Sequence, residues 1–260
     1  MHPSNDNNLK VFIANVYQEN RNSNAYLKLI SACNPDVVLM VETHQWWQDQ
    51  IDVIGKRYPY QLKIPIPNTY GMLLYSKLEL SDGEVKYLVK QDIPSIETLI
   101  KLRSGQLVKL FCLHPEPPVP QENPKSTERD KEILIVAEKA KKSDYPVVVM
   151  GDLNDVAWSY TTELFGKISG LLDPRRGRGF FNSFNAKYFF LRFPLDHIFC
   201  SVDFSLSSIK RLPSCNSDHF PMFVDLQFNP KAEHLNDVPV ATEADLEIAE
   251  EKINANTTED

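Results

Sequence analysis

Four short apolar runs that each end on a polar residue constrain this chain of 260 residues more than any other feature. Runs of this kind are typical of strands that are buried on both faces. The runs and the residues that end them are 11–14 with Asn15, 37–41 with Glu42, 110–113 with His114, and 147–151 with Asp152. Layered α/β folds place their ligand sites at the carboxyl ends of buried strands, so we expect these four residues to share one site.

Segments with helical spacing alternate with these runs early in the chain, and strand-like segments dominate its middle and end. Residues 24–33 and 127–142 have the apolar spacing of helices, and a Thr127-x-x-Asp130 pattern predicts the start of the second one. Gly105 has the position of a hairpin turn between two strands. This arrangement favours a layered α/β domain with mixed sheets.

The composition is that of a soluble globular chain. Apolar residues make up 42% of it, and no apolar run approaches the ~18–20 residues of a membrane-spanning helix. The N-terminal residues lack the basic and apolar segments of a signal peptide. The chain as given is therefore expected in the cytoplasm, and it would be membrane-associated or exported if an N-terminal segment was removed. The cysteines, Cys33, Cys112, Cys200 and Cys215, are far apart and are expected to be reduced, mostly buried thiols.

The net charge of −7 is confined to the end of the chain. Residues 1–229 contain 26 Lys and Arg against 26 Asp and Glu, whereas residues 230–260 contain 2 against 9, a difference of −7. We therefore expect a disordered N-terminus (1–8), a neutral folded domain (9–229) and an acidic tail. The composition of the tail favours disorder, with a short helix around 244–253 as the alternative. A neutral domain argues against strong nonspecific binding to nucleic acid.

Further carboxylates and imidazoles lie in the second half of the chain. In an extended backbone Asp152 and Asn154 would point the same way. Asp196 and His197 would face opposite sides of one strand, so only one of them can join the site. Another Asp-His pair lies just before the last predicted strand, and no cluster has the spacing of a zinc site. Carboxylates, amides and imidazoles favour Mg²⁺, with Mn²⁺ as the alternative, and leave imidazoles for proton transfer.

An ordered set of motifs spans nearly all of residues 9–228. The motifs are Ile13-Ala14-Asn15, Glu42, His114-Pro115, Gly151-Asp152-Leu153-Asn154, Leu195-Asp196-His197-Ile198 and Ser217-Asp218-His219. Together they resemble the endonuclease/exonuclease/phosphatase superfamily, which includes deoxyribonuclease I, exonuclease III, neutral sphingomyelinases and inositol polyphosphate 5-phosphatases. The resemblance implies a four-layer α/β/β/α sandwich, in which two packed sheets are covered by outer helices. Bacterial members without an assigned activity are the most similar, notably over residues 152–159.

The resemblance also implies a role for each matching residue. Glu42 would be the principal Mg²⁺ ligand, Asn15 would touch the metal or the phosphate, and Asp218 would support the metal site. Asp152 would orient or deprotonate the attacking water, and Asn154 would hold a phosphate oxygen. These groups suit phosphoester chemistry because a cation and amide donors stabilise the charge that develops on the phosphate oxygens.

The imidazoles complete the implied site. His219, oriented by Asp196, would be the general base or the imidazole that binds phosphate, and His114 would donate to the developing phosphorane. Exonuclease III-like members usually have Tyr at the position of His114. Deoxyribonuclease I pairs this His with a second Glu on an earlier strand, and residues 69–71 contain no such Glu. Glu97 or Glu79 could substitute for it.

A basic segment, 171–192, precedes the strand that begins at Asp196. Its arginines are expected either on a solvated face or in contact with a phosphate or an anionic headgroup. Arg192 and Arg178 are the candidates for this contact. Trp158, shortly after Asn154, is expected either to pack in the core or to form a platform for a base or a lipid.

These patterns predict a Mg²⁺-dependent phosphoester hydrolase and favour a phosphodiesterase, of the nuclease or the phospholipid type. The alternatives are a phosphomonoesterase acting on sugar or inositol phosphates, and a binding module that kept the fold and lost catalysis. An acyl hydrolase using Ser217 or Ser159 is disfavoured because the chain has no G-x-S-x-G motif. Lipid hydrolysis calls for an exposed apolar hairpin, which the sequence does not make obvious. We expect a monomer, and no protein partner can be inferred.

Overall fold

Two β-sheets packed face to face form the centre of the protein. The computed structural model describes residues 5–118, 126–188, 190–231 and 237–257. Within these residues the first sheet has six strands in the order β10-β11-β1-β2-β4-β3. They are β1 (Asn8–Asn15), β2 (Val37–Val41), β3 (Tyr60–Ile64), β4 (Met72–Ser76), β10 (Phe204–Arg211) and β11 (Met222–Phe228).

The second sheet has five strands in the order β5-β6-β7-β8-β9 across the described residues. They are β5 (Leu80–Lys86), β6 (Ser95–Lys101), β7 (Leu107–Leu113), β8 (Val147–Asp152) and β9 (Asp196–Cys200). Each sheet contains one parallel pair, β1 with β2 and β7 with β8, and its other neighbours are antiparallel. The carboxyl ends of the two strands in each parallel pair therefore lie at the same edge of their sheet.

Helices cover the outer face of each sheet. The first sheet is covered by α1 (Ser23–Cys33) and α2 (Gln45–Ile51), which a 3₁₀ turn, Asp52–Ile54, extends. The second sheet is covered by α3 (Thr127–Lys141), α4 (Tyr160–Ser169) and α5 (Glu243–Asn254). These layers confirm the predicted four-layer α/β/β/α sandwich.

Strand β1 shows why the central strands are apolar on both faces. Val11 and Ile13 pack between the two sheets, whereas Phe12 and Ala14 pack against the helices on the outer face. Alternate side chains point to opposite faces of a strand, so a strand with a covered sheet face on each side must be apolar throughout. The apolar runs of the sequence reflect this double burial.

The structure differs from the predicted elements at the start of α3 and at β3, among other places. Helix α3 begins after Ser126, which makes no side-chain capping hydrogen bond, so the Thr127 capping prediction is wrong. Asp130 instead pairs with Arg129 and with Lys252. Strand β3 was not predicted, because it is an edge strand whose residues are half-buried or exposed and do not form an apolar run.

The acidic tail differs from the disorder that its composition favours. Its residues Glu243–Asn254 form α5, close to the helix named as the alternative, and Thr242 and Asp245 form a capping box at its start. Ala249 is buried among α3 and α4, and Lys167 forms an ion pair with Asp245. Ile248 and Ile253 pack against the same cluster, so apolar contacts and an ion pair together hold the helix.

The N-terminus also contains described structure. Residues Asn5–Asn7 form a 3₁₀ turn, and β1 begins at Asn8. All four cysteines lie in the described part of the chain and are free thiols, three of them buried. None of the described helices is both long and apolar enough to cross a bilayer.

Replacing Ala249 by Asp should destabilise the protein if α5 packs as described. A buried carboxylate without a partner costs roughly 2–4 kcal/mol of unfolding free energy. Urea denaturation of Ala249→Asp measures this loss, and Glu250→Ala, at an exposed position of the same helix, should change stability by less than about 0.5 kcal/mol. Equal stability of both variants and the wild type would show that α5 does not pack on α3 and α4.

Candidate active site

One asparagine joins the two sheets at the edge where the parallel strands end. Asn15, the last residue of β1, donates its Nδ2–H groups to Glu42 Oε1 at 2.7 Å and to Asp152 Oδ2 at 3.0 Å. Glu42 directly follows β2 and Asp152 ends β8, so the contact spans both sheets. The backbone N–H of Gln18 donates to the other Glu42 oxygen at 3.3 Å.

An imidazole lies between two aspartates at the same edge. His219 Nδ1 is 2.7 Å from Asp196 Oδ2, and His219 Nε2 is 3.5 Å from Asp152 Oδ2. Asp196 begins β9 and pairs in register with Asp152 across the antiparallel ladder. Asp152 therefore contacts the Asn15–Glu42 pair on one side and the His219–Asp196 pair on the other.

Ser217 holds the segment that carries His219 against β1. Its Oγ donates to the backbone oxygen of Asn15 at 2.9 Å and accepts from the backbone N–H of His219 at 3.0 Å. The Phe184 ring lies 5.0 Å from the imidazole, between ring centroids. Sequence reasoning did not assign these two residues to the site, although Ser217 is part of the Ser-Asp-His motif.

The backbone is constrained around the aspartate of β8. Gly151 has φ 145°, and a Cβ at this position would lie 1.9 Å from the backbone oxygen of Leu113. Only glycine allows β7 and β8 to approach so closely. Asn154 has φ 50°, so the prediction that it lies in an extended backbone with Asp152 is wrong. Its Nδ2 donates to the backbone oxygen of Pro115 at 2.9 Å, and its backbone N–H donates to Asp152 Oδ1 at 3.0 Å.

His114 is buried after β7, and its ring neighbour is a tyrosine. The Tyr70 ring lies 5.5 Å from the imidazole, between centroids. Glu97 forms ion pairs with Lys139 and Lys109, and Glu79 with Lys101. These ion pairs do not support either glutamate as a partner of His114. Burial lowers the pKa of His114, which is therefore neutral at pH 7.

His197 lies on the opposite side of β9 from Asp196, as the strand alternation predicts. Its Nδ1 is 2.7 Å from Arg175 Nη2, and its Nε2 is 2.8 Å from the backbone oxygen of Asp155. Arg175 is itself buried and paired with Asp173. His197 and Arg175 therefore form an internal structural network.

Burial of the carboxylates dominates the electrostatics of the site. It raises the pKa of Glu42 and of Asp152, although hydrogen bonds from Asn15 partly offset this. Burial also opposes the charged form of His219, but Asp196 and Asp152 outweigh it and raise the pKa of His219 to about 10. The imidazole is therefore protonated at pH 7. Asp218 is half-buried, and its charge acts on both Glu42 and His219.

A divalent cation fits this group of residues. Carboxylate oxygens are the ligands that Mg²⁺ and Mn²⁺ prefer, and a cation would compensate the burial that raises the pKa of Glu42 and Asp152. The other Asp196 oxygen, Oδ1, is buried, and the described residues give it no hydrogen-bond partner. Asp152, Asp196 and His219 each offer an atom within 4.8 Å of the others. Because His219 already bridges those aspartates, Glu42 and Asp152 are the better pair of ligands. Asn15 presents its N–H groups to them, and its oxygen accepts from Tyr17 N–H.

The residues predicted to contact substrate have contacts of their own. Arg178 is exposed and donates to the backbone oxygen of Pro174 at 3.1 Å. The Arg192 guanidinium lies 5.1 Å from the Phe220 ring centroid. Trp158 is half exposed, and its ring centroid lies 5.4 Å from that of Phe180. It lines a cavity of about 390 Å³ rather than packing in the core.

The match with a known family covers most of the chain. The sequence model of the Endonuclease/Exonuclease/phosphatase family matches residues 12–219, a span that includes each residue of the site described above. The chain belongs to this family. A comparison with curated protein sequences finds no match. Members of the Endonuclease/Exonuclease/phosphatase family are phosphoester hydrolases.

Solved structures of this family have the same fold. A humanized D. rerio TDP2 superposes with a TM-score of 0.72 at 17% identity, over 85% of this chain and 99% of that one. The human Nocturnin catalytic domain superposes with a TM-score of 0.68 at 15% identity, over 87% of this chain and 96% of that one. An endonuclease/exonuclease/phosphatase from Beutenbergia cavernae superposes with a TM-score of 0.69 at 16% identity, over 86% of this chain and 72% of that one. At these low sequence identities the structural similarity shows a shared fold.

The network around His197 predicts that the protein becomes less stable as the pH falls. Burial and Arg175 lower the pKa of His197 to about 3, from 6.5 for a free imidazole. Between these values the unfolded chain binds a proton that the folded protein does not, so the unfolding free energy should fall as the pH falls from 6.5 towards 3. His197→Gln should be less stable at pH 7 and should show a shallower decline over this range. Urea denaturation at several pH values measures the slope, and an unchanged slope would contradict the assignment.

Proposed function

We propose that this protein is a divalent-metal-dependent phosphodiesterase that works best with Mg²⁺. The observation that carries the proposal is the position of Asp152, which contacts Asn15 at 3.0 Å and His219 at 3.5 Å. One carboxylate thus joins the residues suited to a cation with the residues suited to proton transfer. Phosphoryl transfer to water needs both functions at one phosphorus atom.

Glu42 and Asp152 would hold the cation. When bound, it would supply positive charge to the phosphate oxygens. Asn15 keeps the two carboxylates together through its N–H groups. Asp218 would add negative charge near this pair without contacting it directly, because its influence on Glu42 is electrostatic.

Asp152 and His219 would share the proton transfers. The attacking water would lose a proton to Asp152, the carboxylate that contacts both Asn15 and His219. The bond from phosphorus to the leaving oxygen would break, and that oxygen would take a proton from the imidazolium of His219. The 3.5 Å contact between Asp152 and His219 gives a route for the proton to return. Asp196 would orient the imidazole through Nδ1.

Neutral donors would stabilise the remaining charge on phosphate. A neutral His114 retains one N–H that can donate to an equatorial oxygen. Asn154 is the predicted holder of another phosphate oxygen. Its hydrogen bonds to Pro115 and to Asp152 connect the loops after β7 and β8.

The solved neighbours support phosphate ester chemistry in this fold. One D. rerio TDP2 structure is a complex with a single-strand DNA product. The human Nocturnin domain was solved with a sulfate anion. A phosphomonoesterase and a silent binding module remain the alternatives, and the competent residues at each motif position disfavour the second.

Hydrolysis of bis-p-nitrophenyl phosphate tests the proposal. The wild type should hydrolyse this diester with Mg²⁺, and the hydrolysis should stop when EDTA is added. Glu42→Ala and His219→Ala should each lower the rate by a factor of about 10² to 10⁴, because Glu42 would hold the cation and His219 would protonate the leaving oxygen. Equal rates in the wild type and both variants would reject catalysis at this site.

Two controls make the outcome specific. Glu84→Ala removes an exposed carboxylate on β5 and should leave the rate unchanged. Hydrolysis of p-nitrophenyl phosphate, a monoester, should be slower than that of the diester. Faster turnover of the monoester would favour the phosphomonoesterase instead.

A further inference from the structure

Residues 184–188 and 190–193 form two paired arms before β9, which we call the 184–193 hairpin. Phe184 and Phe193 exchange backbone hydrogen bonds in both directions. The backbone N–H of Asn185 donates to the oxygen of Leu191 at 3.1 Å. These bonds fix the two arms of the hairpin, and the described side chains of Tyr188, Phe190 and Leu191 lie exposed at its end.

The end of the 184–193 hairpin is unusually apolar for a surface. Phe190 is 89% exposed, Tyr188 is 60% exposed and Leu191 is 58% exposed. Large apolar side chains are usually scattered singly over the surface of a soluble protein, so several within four residues mark a contact surface. The nearby Phe193 is also exposed.

Cations lie next to the apolar end and at the base of the hairpin. Lys187 precedes Tyr188, and its Nζ lies 4.4 Å from the Tyr17 ring centroid. At the base of the hairpin, Arg192 and Arg211 lie 5.1 Å and 4.6 Å from the centroid of the Phe220 ring. Residues 171–192 contain five Lys and Arg against one Asp, in a domain that is otherwise close to neutral. The local charge is therefore complementary to an anionic surface.

The 184–193 hairpin is also attached to the candidate active site. The Phe184 ring lies 5.0 Å from the His219 ring, between centroids, and the backbone N–H of Ala186 donates to the oxygen of Asp218 at 2.6 Å. A surface that binds the end of the hairpin would therefore be connected to the candidate active site through the base of the hairpin.

We propose that the 184–193 hairpin docks the protein on an anionic phospholipid bilayer, so that the substrate is a phosphodiester at the membrane surface. The inference about the substrate rests on the proposed function. Phe190 and Leu191 would enter the region between headgroups and acyl chains, while Lys187 and the two arginines would contact anionic headgroups.

A bilayer fits these observations better than a single-stranded nucleic acid. Bases stack on aromatic rings that line a positively charged groove. Here the most exposed side chains lie at the end of a projecting hairpin, and one of them, Leu191, is aliphatic. The zero net charge of residues 1–229 also gives a weaker long-range attraction to nucleic acid than a strongly basic domain would have.

Co-sedimentation with lipid vesicles in EDTA tests the proposal. We expect the full chain to bind vesicles of phosphatidylcholine with about one third phosphatidylserine, and to bind pure phosphatidylcholine more weakly. The double variant Phe190→Ser/Leu191→Ser should bind the anionic vesicles at least about tenfold more weakly, because two apolar side chains no longer enter the bilayer. Lys187→Gln should weaken binding to anionic vesicles only.

Val53→Ser is the matched control. Val53 is 70% exposed in the 3₁₀ turn after α2, and its replacement should leave vesicle binding unchanged. The proposal is overturned if the wild type binds neither vesicle, or if the double variant binds as well as Val53→Ser. It is also overturned if the double variant loses binding to an oligothymidine strand while the wild type ignores vesicles, because that outcome assigns the hairpin to nucleic acid.

The vesicle assay is independent of catalysis. It contains EDTA and measures no turnover, so a negative result leaves the phosphodiesterase proposal standing. Conversely, Glu42→Ala should bind vesicles like the wild type, even if the diester assay shows that the protein has no activity. A thermal unfolding midpoint close to that of the wild type should show that each hairpin variant is folded, since the altered side chains are exposed.

Discussion

The contact of Asn15 with two buried carboxylates is the interaction on which the site depends. Its Nδ2 lies 2.7 Å from Glu42 and 3.0 Å from Asp152, and these acids belong to different sheets. Buried carboxylates are costly unless donors or cations compensate them. One amide compensates both only in part, and their raised pKa values reflect the remainder. Because the charge of the two buried carboxylates is only partly compensated, the site is suited to a cation.

The sandwich explains why these residues meet. The parallel pairs β1–β2 and β7–β8 end at the edges from which Asn15, Glu42 and Asp152 project. Antiparallel β9 begins where β8 ends, which places Asp196 beside Asp152. The loop before β11 then supplies His219, which Ser217 ties to β1. Residues from distant parts of the chain thus converge because several strands start or stop at one edge.

Much of this site could be predicted from the sequence, because double burial makes the central strands uniformly apolar and their ends easy to locate. The ends of four strands identified Asn15, Glu42, His114 and Asp152, and strand alternation separated Asp196 from His197. The extended backbone assumed for Asn154 does not occur, since strand periodicity does not extend into a turn with φ 50°. The Tyr70 contact with His114 depends on how a loop packs, and no local pattern encodes that.

Two surface features were predicted less well from the sequence. Helix α5 is held by Ala249 and by ion pairs to α3 and α4, and composition reports neither packing nor pairing. The 184–193 hairpin was recognised only as part of a basic segment, because exposure of its aromatic residues is a property of the fold. The sequence therefore indicated the ends of the buried strands well and the exposed side chains poorly.

The most direct test of the account is a calorimetric titration of the protein with Mn²⁺, which reports cation binding without any substrate. If the joined carboxylates hold the cation, the wild type should bind one Mn²⁺ at this site, and Glu42→Gln, which removes a negative charge with little change of shape, should bind it at least about tenfold more weakly. Identical titrations of the two proteins, or no binding by the wild type, would contradict the account.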